Sequence, residues 1–319
     1  MSKHTLTKLL DIKHPIIMAP MFLVTNTSMM IEALNNGIAA CIPALNYRTD
    51  KQFNEAIKKI RASTKSKGLG VNLIVNKSNL RLNQQLYSCI ELEVDFIITS
   101  LGNPKDVIKQ CKPKGIKVFC DVVEEEYAKK VEKLGADAII AVNCNAGGHA
   151  GELKAEKIIP LLNQNCNIPI ISAGGVGTKE GIKEIINLGA AGISIGSPFI
   201  ACKEADISQE YKNACVDYGK DDIVFTTKIS GTRCTVINTP YVQKTGTKQN
   251  WLERIISKNK KIKKWIKILT YLKGMKAIEK AAFSNTYKKV WCAGPSIEYT
   301  TEILPVGKII KTLTKGLNF

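Results

Sequence analysis

Over its first two hundred residues the chain repeats one unit eight times: a short β-branched run, a polar turn and an amphipathic stretch ending near glycine. No other feature restricts the fold as much. The apolar runs are Pro15–Ala19, Ile38–Ile42, Leu69–Ile74, Phe96–Thr99, Lys117–Cys120, Ala138–Val142, Ile168–Ser172 and Gly192–Ile195. Helical patterns fall near 27–36, 50–63, 80–92, 104–111, 124–134, 154–165, 178–188 and 199–206. Strands that read as near-continuous apolar runs are buried on both faces, so the alternation predicts a parallel sheet covered by helices. Eight units close into a (β/α)8 TIM barrel. A doubly wound open sheet makes similar local patterns; the count of eight favours the barrel.

After Pro198 the periodicity changes. The expected organisation is a barrel over 1–206, a lid-like insertion over 207–290, and a C-terminal turn and helix over 291–319 that return to the barrel. The insertion begins polar and β-rich, then becomes a very basic helical segment over 251–284. There Trp251, Ile255, Ile256, Trp265, Ile266 and Leu269 form an apolar stripe. That stripe reads as a layer packed on the barrel in preference to a membrane-surface helix.

The chain carries 46 Lys and Arg against 28 Asp and Glu, a formal charge of +18. No alternating aromatic and basic stripe accompanies the charge, and lysine, asparagine and isoleucine are abundant throughout, so nucleic acid is not the expected partner. Attraction of a small anionic substrate is left open. No run of about 18 apolar residues is present to span a membrane, and charges interrupt the N-terminal apolar stretch where a secretory signal needs continuity. The ten cysteines include no CxxC pair, and His4, His14 and His149 supply no close Cys/His spacing for a metal. The expectation is a reducing cytoplasm and no metal.

Chemistry-bearing residues gather at the ends of the apolar runs, where a barrel carries its active site. Ile168–Gly177 opens from a strand into a glycine turn before a helix, and Gly192–Pro198 repeats the design. Glycines let backbone N–H groups approach an anion, and the helix terminus adds favourable polarity. Two such turns on strands seven and eight match the common phosphate site of a barrel. The loop Asn143–Gly151 follows strand six and holds His149, a residue able to exchange a proton near neutral pH. Ala19, Pro20 and Met21 end strand one, suited to lying beside a flat ring. Asn72 ends strand three with an amide that both donates and accepts. Asp121 and Ser100 are weaker candidates of the same type, and Cys144 lacks the base that a thiol nucleophile needs.

Taken together, the segments at 14–22, 70–73, 145–151, 171–177, 192–199 and 291–299 resemble the FMN-dependent nitronate monooxygenase family. The flavin-dependent enoyl-acyl-carrier-protein reductases share its fold. The resemblance implies a non-covalent FMN above the carboxyl ends of the strands. It places Ala19, Pro20, Met21 and Asn72 against the isoalloxazine or ribityl portion. Gly174, Gly175, Gly196 and Ser197 would hold the phosphate, while Ala146, Gly147 and Gly148 lie beside the ring and His149 is catalytic. The implied activity is oxidation of alkyl nitronates, and of nitroalkanes after deprotonation, by O2 to a carbonyl compound and nitrite. The implied alternative is NAD(P)H-dependent reduction of an enoyl thioester, with an acyl carrier protein as partner only in that case. A homodimer is left open. Two positions depart from the family pattern: Asn145 stands where a glutamate is frequent, and Pro295 where a glutamine follows Ala-Gly.

Overall fold

A computed structural model of the chain describes residues 5–77, 79–228, 233–248 and 290–317. Eight parallel strands form the barrel: β1 Ile16–Met18, β2 Ala39–Pro43, β3 Leu69–Ile74, β4 Phe96–Ser100, β5 Lys117–Val122, β6 Ala138–Val142, β8 Ile170–Ala173 and β9 Gly192–Ile195. They neighbour one another in that order, and β9 returns to β1 with Ile16, Ile17 and Met18 opposite Ile193, Ser194 and Ile195. The sheet is therefore closed, and each expected apolar run supplies one stave.

Helices cover the outside by burying one stripe each. In Asp50–Ser63, Phe53, Ala56, Ile57 and Ile60 are buried at helical spacing. Thr49 and Gln52 cap its first turn reciprocally. The eighth expected helix, over 199–206, does not form; a single 3-10 turn, Ser197–Phe199, takes its place. The polar groups there bind neighbouring elements instead. Lys203 N–H donates to the Leu304 carbonyl, and the Glu204 carboxylate accepts from Val306 N–H, at the start of the C-terminal helix Val306–Thr314.

The barrel interior is filled from below. Phe96 and Phe119 stack there with centroids 5.1 Å apart. Gly70 makes room for them, since a Cβ at that position would lie 2.2 Å from the Phe96 ring. An N-terminal helix, Leu6–Leu10, closes the lower mouth with Leu6 fully buried and its N–H on the Ala191 carbonyl. This plug is not evident from the sequence, where charges flank only three leucines, Leu6, Leu9 and Leu10.

A second, antiparallel sheet stands over the upper mouth. Its strands are β7 Gly148–His149, β10 Ile223–Thr226 and β11 Cys234–Ile237, in the order β10-β11-β7. The basic stretch 251–284 lies outside the described residues. Further helical elements at Pro240–Thr245, Pro295–Tyr299 and Val306–Thr314 complete the C-terminal part. Among the described residues, no helix is long and apolar enough to cross a membrane.

Candidate active site

A cavity of about 610 Å³ opens at the carboxyl ends of the barrel strands. The twelve residues that the family resemblance assigns to the site all line it: Ala19, Pro20, Met21, Asn72, Ala146, Gly147, Gly148, His149, Gly174, Gly175, Gly196 and Ser197. Asp121 and Ser100 line it too, whereas Cys144 is not among its walls.

The turn after β8 is built on two glycines with positive φ, +117° at Gly174 and +81° at Gly175. A side chain at Gly174 would place its Cβ 2.5 Å from the Ala146 nitrogen and from Asn143 Oδ1. Both conformation and space therefore exclude any other residue there. Gly196 differs: a Cβ there would meet Ala19 and Met21 at ordinary contact distance. The helix Lys179–Asn187 follows the Gly174–Gly175 turn, with Thr178 capping it through the Gly181 N–H.

Asn143 joins this turn to the histidine loop. It is fully buried, its Nδ2 donates to the Gly174 carbonyl at 3.0 Å, and its Oδ1 accepts from Asn145 N–H at 2.8 Å. On the far side the loop becomes β7, with Gly148 opposite Thr235 and His149 opposite Cys234. The Thr235 hydroxyl donates to the carbonyls of Ala146, at 2.8 Å, and Gly148, at 3.3 Å. Gly294 presses on the same loop from the C-terminal turn, and its N–H donates to Ser197 Oγ at 2.8 Å. That contact engages the oxygen of Ser197 and leaves the hydroxyl proton as its donor. Sequence reasoning missed Asn143, Thr235 and Gly294 as supports, although Asn after a strand and before glycines is a recognised turn signal.

His149 is solvent-exposed and lines the cavity. Desolvation by the cavity walls lowers its pKa, so the neutral imidazole dominates at neutral pH. The floor is polar at one place. Asn72, Ser100 and Asp121, from β3, β4 and β5, form one hydrogen-bonded chain. Burial pushes the Asp121 carboxyl up to about 6, against the opposing effect of the Ser100 hydroxyl. At the rim, the Arg233 guanidinium lies 3.5 Å from the centre of the Phe225 ring.

A closed barrel with a glycine-lined cavity over its strand ends defines an enzyme of the TIM-barrel class. The chain belongs to the nitronate monooxygenase family, whose model matches residues 3–316. It is a flavin-dependent oxidoreductase of the superfamily that family shares with enoyl reductases. The solved structure of FabK from Thermotoga maritima superposes with a TM-score of 0.84 at 27% identity, covering 99% of this chain and 96% of that one. A nitroalkane oxidase from Streptomyces ansochromogenes shares the fold, with a TM-score of 0.79 at 19% identity over 97% of this chain and 96% of that one. Curated relatives include a probable nitronate monooxygenase of Staphylococcus aureus, 26% identical over 76% of this chain and 80% of its own. A 5-hydroxy-7a-methyl-1-oxo-octahydro-indene-4-carboxyl-CoA dehydrogenase of Rhodococcus jostii is 27% identical; the match spans 74% of this chain and 66% of that protein.

Proposed function

We propose that the protein binds FMN in this cavity and oxidises alkyl nitronates with O2, releasing nitrite and a carbonyl compound. The observation that carries the reading is the placing of His149 in the same cavity wall as the Gly174–Gly175 turn, the two tied through Asn143. The residues fit the cofactor: the turn after β8 forms a cradle that a Cβ would fill, and it leads into a helix N-terminus suited to phosphate. Gly174, Gly175, Gly196 and Ser197 would hold the phosphate; Ala19, Pro20, Met21, Asn72, Ala146, Gly147 and Gly148 would surround the remainder. Bound FMN supplies the redox chemistry.

The protein's own part is positional and protolytic. Neutral His149 accepts the α-proton of a nitroalkane, or donates to the nitro oxygens once protonated. The loop that carries it is held on both sides, by Asn143 and by Thr235, so the imidazole keeps its place. Arg233 at the rim attracts an anionic substrate. The ten free cysteines support a reducing, cytoplasmic setting.

A second reading is favoured by one finding, the kinship at 27% with a dehydrogenase named for a carboxyl-CoA substrate. It is reduction of an enoyl thioester by NAD(P)H on the same site. Mixing FMN-loaded protein anaerobically with propyl-2-nitronate or with NADPH separates the two. Rapid loss of flavin colour with nitronate and slow loss with NADPH is expected; the reverse order overturns the first reading.

A further inference from the structure

Neither reading of the function uses Asp121, although it stands one residue from the end of β5, is half-buried and lines the cavity. Its hydrogen bonds have a fixed direction. The Ile98 carbonyl can only accept, so the Asn72 amide is oriented with Nδ2 towards it, at 3.1 Å. The same nitrogen gives its other proton to Ser100 Oγ at 2.7 Å. Ser100 then donates its single proton to Asp121 Oδ2. Every donor of the chain is spent inside the protein. What the floor offers a ligand is two acceptors, Asn72 Oδ1 and Asp121 Oδ1.

Among the described residues, only the Ser100 hydroxyl favours Asp121 as an anion. None of the ion pairs among the described residues includes it. Its electrostatic neighbours are Cys41 on β2, Cys120 on β5 and Tyr127 on the helix Glu125–Lys133, each pushed further towards its neutral form. Glu124, His149 and Arg233 face the same cavity. Any molecule that fills the cavity removes the water that still solvates the carboxylate, and desolvation favours the neutral acid.

We propose that Asp121 is the proton carrier of the cavity floor: it meets the bound molecule as a carboxylic acid and donates from Oδ1 to an acceptor on that molecule's edge, so that occupancy draws a proton from solution. The class of ligand that suits the floor presents an N–H to Asn72 Oδ1 and a carbonyl to Asp121. The pyrimidinedione edge of an isoalloxazine is such an edge, and in this the inference rests on the flavin reading.

Riboflavin is the probe, because it lacks the phosphate whose own titration would confuse the result. Calorimetric titration at pH 7.5 in two buffers of different ionisation enthalpy gives the protons exchanged. The wild type is expected to take up close to one proton, and its affinity to fall by about tenfold per pH unit above the pKa of the free protein. Asp121→Asn, a mimic of the neutral acid, should take up none and bind at least as tightly. Ser100→Ala is the second variant. It removes the bond that favours the carboxylate, so the pH at which affinity begins to fall moves upward. Binding without uptake, equal uptake in Asp121→Asn, or an unmoved profile in Ser100→Ala overturns the assignment alone. Failure of both riboflavin and FMN to bind overturns the flavin reading and the assignment with it.

Discussion

Asn143 Nδ2 donates to the carbonyl of Gly174 at 3.0 Å, so one buried amide links the loop that carries His149 to the turn that faces it. The two halves of the site, a proton-exchanging ring and a glycine cradle, are thereby fixed relative to one another. Asn143→Ala leaves the Gly174 carbonyl and the Asn145 N–H without these partners. The expected cost is about 1–3 kcal/mol of stability, with weaker FMN binding, read by thermal unfolding with and without FMN. A variant that melts and binds as the wild type does would show that the link is dispensable.

Gly175→Asp tests the cradle. The backbone there has φ +81°, a Cβ would lie 3.1 Å from Asn145, and the new charge would face the proposed phosphate. FMN affinity should fall at least tenfold, measured by fluorescence quenching. Unchanged affinity would mean that the phosphate is held elsewhere.

His149 is the proposed base, and its pKa is lowered by desolvation. A group needed in its neutral form gives activity that rises with pH through that lowered value and is level at neutral pH. The inflection for neutral nitroalkane should therefore lie below the ordinary histidine value of about 6.5. His149→Ala should retain FMN, lose most turnover of nitroalkane, and lose much less with preformed nitronate. Equal loss on both substrates would remove the proton-transfer role.

Asp121 makes a separate claim on stability. Its folded-state pKa of about 6 lies above the value in the unfolded chain. The charged carboxyl is therefore destabilising above pH 6, and that cost fades as pH falls from about 6 to about 4. Asp121→Asn should raise the melting temperature at pH 8, by a stabilisation on the order of 2 kcal/mol, and leave it nearly unchanged at pH 4. A variant that is less stable at pH 8 would show that the carboxylate is held by something other than Ser100.

Leu6→Ala should cost about 2–5 kcal/mol, because the side chain is fully buried in the lower mouth of the barrel and little is free to collapse into its place. Chemical denaturation reads this directly. A cost below about 1 kcal/mol would mean that the barrel does not depend on its plug.

The staves of the barrel were legible because most of their residues are buried on both faces and read as near-continuous apolar runs, as Ala138–Val142 does. The cavity wall was legible where glycine carries the geometry, at Gly174 and Gly175. Its supports were not, for a physical reason. Asn143 meets Gly174 across 31 residues and Thr235 meets Ala146 across 89, and no local pattern encodes either contact. The two-residue strand at His149 exists only because β11 pairs with it. The expected helix over 199–206 failed likewise, since Lys203 and Glu204 bind the C-terminal segment in place of their own turn.

The central claim is that this cavity oxidises a nitronate with oxygen. Oxygen consumption by the FMN-loaded protein, given propyl-2-nitronate without NAD(P)H, tests it most directly. The account predicts uptake that depends on FMN, accompanied by nitrite. Absence of uptake from protein that demonstrably holds FMN would contradict it and move enoyl-thioester reduction into its place.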